Sequence, residues 1–253
     1  MFAADRSLRR FNLFLMVVVT TALMLPIILA LSRSVESPWG FRTYLWALSD
    51  PRLPRFYLNS SIVSAGTIIL TVSCASLAGF AFSKFEFPLK SVLFLMLLIT
   101  LLVPLTTAII PLFVLIRGLD LYNSYLGLIL PLAAFGVPFH TVLIANYLNS
   151  LPNELVEAAY IDGCSDFGVF WRIMLPLSMP VQAVVIVLTF LGSWNNYLLP
   201  LILLRDQALH TVPVAAVNVG SLAALFLLAV PTLIIFLLFQ RVFIGSVTSG
   251  AFG

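Results

Sequence analysis

The residues best suited to chemistry form the run Trp194-Asn195-Asn196-Tyr197, near the middle of a long charge-free stretch. Side-chain amides hydrogen-bond to hydroxyl groups, and an indole face packs against the C–H side of a sugar ring. Small polar groups in apolar surroundings also form hydrogen bonds between helices. The run therefore predicts a solute-contacting patch or a helix-packing patch, and the sequence leaves both open.

The other chemically active side chains are isolated. His140 stands alone in its apolar stretch, whereas a proton relay needs a chain of acids or histidines, so we expect a packing role. Cys74 and Cys164 have neither disulfide nor metal spacing. A phosphate-binding loop needs Gly-x-x-x-x-Gly-Lys before Ser or Thr, and neither Lys84 nor Lys90 follows a glycine. The sequence thus predicts no enzymatic activity, no metal and no cofactor in this chain.

The elements that must position these residues are membrane helices. Hydrophobic residues make up 61% of the chain and charged residues 9%, against about 25% charged in soluble domains. A transmembrane helix needs about 20 mostly apolar residues. About six stretches without Asp, Glu, Lys or Arg meet this length: Phe11–Leu31, Ser61–Phe82, Ser91–Ile116, Ser124–Tyr147, Val181–Leu204 and Val219–Gln240. The sequence therefore predicts an all-α, polytopic membrane protein.

Charge at the N-terminus indicates orientation. Arg6, Arg9 and Arg10 precede the first span and favour a cytoplasmic N-terminus, which places the C-terminus on the same side. Ala30 and Ser32 would also suit a cleavage site, but signal peptides have apolar cores of about 7–15 residues, so a retained helix is favoured. Because the net charge of +3 comes without another basic run, nucleic-acid binding is not expected.

The segment from Asn149 to Met179 lies between two predicted spans and has helix signals of its own. Pro152 suits the first position of a helix and Gly163 suits its end, which predicts a helix from about Pro152 to Asp162. Ser165 can cap a second helix that Pro176 would end. The segment therefore predicts a helix-turn-helix on the cytoplasmic side.

The side chains of this helix-turn-helix suit contact with a partner protein. The small residues Ala158 and Ala159 would let a partner backbone approach closely. Apolar contacts would come from Leu155, Val156, Tyr160, Phe170 and Trp171.

The order Glu157-Ala158-Ala159, Gly163, Ile173, Leu175 and Pro176 resembles the EAA loop of ABC-importer permeases. From about Phe41 onward the chain is similar to the shorter, six-helix subunit of the maltose-type carbohydrate permeases. The runs that carry this similarity are Ala81-Phe82-Ser83-Lys84-Phe85-Glu86-Phe87-Pro88, Pro104, Ile110-Pro111-Leu112, Tyr125-Leu126-Gly127-Leu128-Ile129-Leu130-Pro131 and Gly192-Ser193-Trp194-Asn195-Asn196-Tyr197-Leu198-Leu199-Pro200.

The resemblance implies a type I ABC-importer transmembrane domain in the bacterial inner membrane. Residues 1–253 would form a single permease domain, with a coupling loop at about 149–179. The residues implied to transmit ATPase movement are Glu157, Ala158, Ala159, Gly163, Ile173, Leu175 and Pro176. The implied solute pathway includes Trp194, Asn195, Asn196 and Tyr197.

The resemblance also implies partners. These are a second permease subunit in a heterodimer, a pair of ATPase subunits that bind ATP and Mg, an extracytoplasmic solute-binding protein and membrane lipid. The solute would be a sugar or a related polyol, with glycerol phosphate derivatives included. An ion-coupled secondary transporter is the alternative, and it would normally carry intramembrane acids that the predicted spans lack.

Two segments near the C-terminus leave their roles open. The outer segment Asp206–Asn218 is shorter than is usual in the family, which implies a reduced dock for the binding protein or residues missing from this chain. The tail Arg241–Gly253 resembles family endings that reach toward the ATPase, and it also fits a frayed terminus.

Overall fold

The computed structural model describes residues 2–35, 42–219, 226–227, 229–235 and 237–238, and every regular element among them is helical. The helices are α1 (Phe2–Val35), α2 (Arg42–Leu48), α3 (Leu53–Lys84), α4 (Lys90–Thr100), α5 (Leu105–Gly118), α6 (Tyr125–Asn149), α7 (Glu154–Ile161), α8 (Asp166–Val169), α9 (Leu175–Leu177), α10 (Met179–Trp194), α11 (Leu198–Leu203) and α12 (Val212–Val219). A π-helical turn, Phe170–Met174, joins α8 to α9, and a 3₁₀ turn spans Gln207–Leu209. The predicted all-α class is confirmed.

The chain divides into two compact units. The described residues within 1–53 and 216–227 form the first unit, and those within 54–215 and 228–253 form the second. In the first unit, all side chains from Phe11 to Leu29 are exposed. The hydroxyl groups of Ser34 and Tyr44 lie 2.7 Å apart and tie α1 to α2. The exposed apolar surface of α1 suits a lipid environment.

Among the described residues, three helices are long and apolar enough to cross a membrane unbroken: Phe11–Ser34, Leu53–Lys84 and Tyr125–Asn149. They confirm the first, second and fourth predicted spans. The predicted third span, Ser91–Ile116, is instead two helices, α4 and α5, bent by 100°. The break falls where Pro104 precedes α5 with an extended backbone, because proline disfavours a helical residue before it.

The last two predicted spans also differ from a simple helix. The stretch Val181–Leu204 contains α10 and α11, separated at residues 195–197. A second bent pair, Asp166–Leu177 with Met179–Trp194, turns by 76°. The predicted sixth span, Val219–Gln240, is described only in part, and the tail Arg241–Gly253 lies outside the described residues.

Helices α3 and α6 pack side by side through small residues. A Cβ atom added to Gly79 would lie 2.8 Å from Cγ2 of Ile144, and one added to Gly66 would lie 2.6 Å from Cδ1 of Ile129. A side chain at either position would therefore clash with α6. Glycines at helix interfaces in membranes let the two helices pack closely. The segment between α6 and α10 packs against both of these helices.

Candidate functional site

The segment between α6 and α10, residues 150–178, is called here the surface segment, and its turn is fixed by local backbone hydrogen bonds. The N–H of Gly163 donates to the Tyr160 carbonyl (3.0 Å), and the N–H of Cys164 donates to the Ala159 carbonyl (2.9 Å). Gly163 has φ +81°. These two bonds with a left-handed glycine form a Schellman motif. The predicted helix end at Gly163 is confirmed.

The second half of the surface segment begins as predicted and ends differently. The Ser165 hydroxyl accepts a hydrogen bond from the Gly168 N–H at 3.3 Å, which confirms the predicted cap. The helical run then passes Pro176 and continues to Leu177, so the prediction that Pro176 ends it is wrong. Pro176 directly follows the π-helical turn, at the start of α9.

One face of the surface segment is buried in the core of its own unit. Val156, Ala159 and Met174 pack in one cluster with side chains from α3, α6 and α10. The full set of buried residues is Ala75, Phe80, Ile144, Leu148, Val156, Ala159, Val169, Phe170, Met174, Val181 and Val185. Ile173 and Leu175 are partly buried against the same cluster. Consequently Ala159, Val156 and Phe170 do not contribute to an outer docking face as their sequence pattern suggested.

The opposite face of the surface segment exposes large apolar side chains. Ile161 is 87% exposed, Phe167 65% and Trp171 52%. Glu157 and Ala158 are exposed on the same helix, α7. An exposed group of apolar and aromatic side chains is typical of a protein–protein contact.

A tyrosine links the two helices of the surface segment. The Tyr160 hydroxyl donates a hydrogen bond to Oδ1 of Asp166 at 2.9 Å. Partial burial raises the pKa of the Tyr160 phenol above its ordinary value, and the hydrogen bond and negative charge of Asp166 raise it further. The phenol is therefore held in its neutral, donating form.

The far end of the surface segment is fixed by polar contacts. The buried amide of Gln182 donates to the hydroxyls of Ser76 (2.9 Å) and Ser178 (3.3 Å), which joins α10 to α3 at the bend. The Tyr147 hydroxyl on α6 donates to the Leu177 carbonyl at 3.2 Å. A fully hydrogen-bonded buried network of this kind restricts the bend to one geometry.

The predicted solute residues occupy the break between α10 and α11. Trp194 is 3% exposed, stacks on Phe190 with ring centroids 5.3 Å apart, and meets Tyr57 at 5.9 Å. Its indole is therefore packed within the chain. Asn195 is exposed, and its Nδ2 donates to the Leu191 carbonyl at 3.1 Å.

The next two residues start the following helix. Oδ1 of Asn196 accepts a hydrogen bond from the Leu199 N–H at 3.1 Å, within the first turn of α11. Tyr197, which is partly buried, precedes that helix. The four predicted residues therefore lie together at the break, but Trp194, Asn195 and Asn196 all form contacts within the chain. Oδ1 of Asn195 accepts a hydrogen bond from the Thr232 hydroxyl at 3.3 Å.

His140 is placed in a packing environment. It is 6% exposed, and its Nδ1 donates to the Gly136 carbonyl at 2.7 Å. Within the described residues, Nε2 has no hydrogen-bond partner. The surroundings agree with the packing role expected from the sequence.

Two asparagines that the sequence pattern did not single out organise the opposite end of α3 and α6. Nδ2 of Asn59 donates to the carbonyl oxygens of Ala208 and His210, both at 2.9 Å. Oδ1 of Asn123 accepts from the Arg205 N–H at 2.9 Å. The short outer segment is thus held against α3 and α6. Asn123 has φ +60° and lies in a tight turn. The tolerance of asparagine for this backbone conformation is the signal by which the sequence could have indicated Asn123.

A groove of about 620 Å³ opens between the ends of α3, α4 and α6 on the side of the surface segment. Its walls are Phe82, Lys90, Ser91, Phe94, Leu95, Leu98, Ala145, Asn146 and Asn149. The residues of the α10–α11 break are not among them. In the described part of the chain, no group of three or more His, Cys, Asp or Glu residues could hold a metal ion.

Comparison with known proteins gives consistent matches. Residues 71–248 match the family described as binding-protein-dependent transport system inner membrane component. The chain is 36% identical to the probable ABC transporter permease protein YurM of Bacillus subtilis, over 87% of this chain and 76% of that protein. It is 35% identical to the diacetylchitobiose uptake system permease protein NgcG of Streptomyces coelicolor, with the same coverage of both chains.

A solved structure shares the fold. It belongs to a bacterial ABC transporter involved in the import of the acidic polysaccharide alginate, and the match covers 94% of this chain and 97% of that one. The TM-score is 0.78 and the sequence identity is 21%. At this identity the match is informative about the fold alone.

Proposed function

The chain belongs to the binding-protein-dependent transport system inner membrane components, and from this we propose that it forms half of the translocation pathway of an ATP-driven importer. The chain is an ABC-importer permease, a membrane subunit that works with an ATPase and a solute-binding protein. In this proposal the second half of the pathway is a different permease, so the membrane part is a heterodimer. ATP and Mg bind to the ATPase subunits.

We propose that the surface segment is the docking element for the ATPase. The observation that carries this is the pairing of a buried face with an exposed face bearing Ile161, Phe167 and Trp171. A partner that binds the exposed side chains can move the surface segment, whose other face is packed on α3, α6 and α10. Glu157, Ala158 and Gly163 shape that face, whereas Ala159, Ile173 and Leu175 hold it against the core.

The test replaces Ile161 with serine. Burying an isoleucine at an interface is worth about 1.5–3 kcal/mol, so Ile161→Ser should weaken ATPase association by about tenfold or more. Leu102→Ser is the control, because Leu102 is 79% exposed at the α4–α5 break, away from the surface segment. Association would be measured by co-purification and by binding of the purified ATPase to the permease in lipid nanodiscs. Equal affinity for both variants would contradict the docking role.

We propose a sugar or a related polyol as the solute, with glycerol phosphate derivatives in the same chemical range. The support is similarity to a permease named for diacetylchitobiose uptake and the exposed amide of Asn195 at the α10–α11 break. In this proposal Asn195 contacts the solute, Asn196 and Tyr197 shape the break, and Trp194 supports it from behind. Discontinuous helices at membrane depth are a recurrent construction of transport sites.

Identifying the sugar that co-purifies with the binding protein would test the solute class. Asn195→Ala should then raise the KM for uptake, and Asn195→Gln should restore part of the loss because it keeps the amide. The ion-coupled transporter is not favoured by the comparisons. Uptake that persists without ATP and follows a proton or sodium gradient would restore that alternative.

We also propose that both termini and the surface segment face the cytoplasm of the bacterial inner membrane. This follows from the arginines ahead of α1 and from the need for the surface segment to meet an ATPase. Cysteine accessibility at Asp162, measured with a membrane-impermeant reagent in intact and inverted vesicles, would test this orientation.

A further inference from the structure

Helices α3 and α6 end next to each other, immediately before the surface segment. α3 ends at Lys84 and α6 ends at Asn149. The last carbonyl groups of each helix lack helical partners and carry partial negative charge. A cation placed between two such ends is stabilised by both of them.

The ammonium group of Lys84 lies just beyond the end of α6. Its Nζ donates to the Leu151 carbonyl at 3.0 Å and to Oδ1 of Asn153 at 2.8 Å. Leu151 follows the end of α6, and Asn153 directly precedes α7. One side chain thus connects α3, the end of α6 and the start of α7. Lysine suits the position because its ammonium is a compact charge with three donors.

The rest of α7 has limited anchorage. Val156 and Ala159 are its buried residues, while Glu157, Ala158 and Tyr160 are exposed. The turn at Gly163 has open space around it, with no atom within 4 Å of an added Cβ. A push on the exposed face would therefore tilt α7 on its two buried side chains unless its first residues were held.

We propose that Lys84 is a positioning residue for coupling: it fixes α7 to α3 and α6, so that movement of the ATPase is delivered to the membrane helices instead of being absorbed by rotation of α7. This role rests on the proposed docking function. Lys84 itself touches neither solute nor nucleotide in this scheme. It acts through Leu151 and Asn153.

The first test measures the distance between α3 and α7 in the assembled transporter. Spin labels would be attached to the native Cys74 on α3, which is exposed, and to Asp162→Cys at the end of α7, with Cys164 changed to serine. With Lys84 intact, we expect one narrow distance distribution that is the same with and without a non-hydrolysable ATP analogue. Lys84→Met should broaden this distance distribution. Losing a charge-assisted hydrogen bond should raise the fraction of molecules in which the start of α7 is not held to α3 by about tenfold.

Matched variants separate positioning from general stability. Lys84→Arg keeps the charge and the donors, so it should restore most of the narrow distribution. Asn153→Leu removes one acceptor and should give an intermediate width, whereas Asn153→Asp keeps it and should behave like the parent. All variants should insert into the membrane and bind the ATPase.

The second test is the ratio of ATP hydrolysed to solute transported. Lys84→Met should raise this ratio severalfold while ATPase activity persists, and Lys84→Arg should bring it back. A merely structural loss would lower transport and hydrolysis together. An unchanged distance distribution in Lys84→Met, or a parent distance that changes on nucleotide binding, would overturn the proposal. The distance measurement without nucleotide decides on Lys84 even if the docking role of Ile161 fails.

Discussion

The two ends of α10 are built in contrasting ways. At Met179 the helix meets the buried Gln182–Ser76–Ser178 network and the core that holds the surface segment. At Trp194 the helical backbone stops, and an exposed asparagine follows. A 16-residue helix is about 24 Å long and stiff. A displacement applied at the anchored end is therefore carried to the end at Trp194, called here the open end because the helical backbone stops there.

Breaking the anchored end should give the largest effect. Phe170 is 5% exposed in the core, and Phe170→Ala should destabilise the surface segment by about 3–5 kcal/mol because it leaves a cavity. Hydrogen exchange of the amides between positions 156 and 174 would show this as faster exchange.

Phe167→Ala is the matched control, since that ring lies three residues earlier and is 65% exposed. It should leave hydrogen exchange nearly unchanged and weaken ATPase binding instead. If both alanine variants alter the same measurement to the same degree, the division into an inner and an outer face is wrong.

The turn between the two halves of the surface segment should be sensitive to backbone conformation alone. Gly163 has φ +81° and open space around its α-carbon, so Gly163→Val should cost about 1–2 kcal/mol through the left-handed backbone. Gly163→Asn should cost less, because asparagine tolerates this region. Uptake and transport-coupled ATPase activity should both fall, and they should fall further in Gly163→Val than in Gly163→Asn. Membrane insertion should persist in both variants. Equal uptake for the parent and the valine variant would count against a role for the turn.

A smaller effect is expected from weakening the open end. Asn196→Ala removes the acceptor for the Leu199 N–H, a loss of about 1 kcal/mol for a capping interaction. The Leu199 amide should exchange faster, with little change in the surface segment. Asn196→Asp keeps the acceptor and serves as the control. Faster exchange at both ends of α10 would show that the two ends are not independent.

The smallest effect concerns the hydrogen bond from Tyr160 to Asp166. Since the pKa of Tyr160 is raised in the folded chain, the stability it contributes is present below the ordinary tyrosine pKa of about 10 and is lost as pH rises through the folded value. Asp166→Asn should lower the Tyr160 pKa, because it removes a negative charge and a strong acceptor. An ultraviolet titration, with Tyr160→Phe subtracted, would measure this, and an upward shift would contradict it.

The parts of the fold that follow from neighbouring residues were predictable. Uncharged runs located the long helices α1, α3 and α6, and glycine and serine signals placed the turn at Gly163 and the cap at Ser165. These signals act over a few residues, so tertiary packing does not alter them. The family resemblance was confirmed by the match over residues 71–248.

The parts that depend on packing were not predictable. Nothing in the local pattern separates Ala158, which is exposed, from Ala159, which is 4% exposed against the core. Trp194 suited a solute by its chemistry, but Phe190 and Tyr57 cover its ring. Lys84 carried no sequence signal for its role, because its acceptors lie 67 and 69 residues further along the chain.

The π-helical turn has a consequence for aligning this chain with its relatives. The Leu175 N–H bonds to the Phe170 carbonyl, five residues back, whereas an α-helix bonds four residues back. The stretch between Ser165 and Ser178 therefore holds one residue more than a continuous α-helix of the same rise. Relatives with a regular helix here should align with a one-residue gap, and deleting one residue from the turn should restore a regular α-helix while Phe167 stays on the same face.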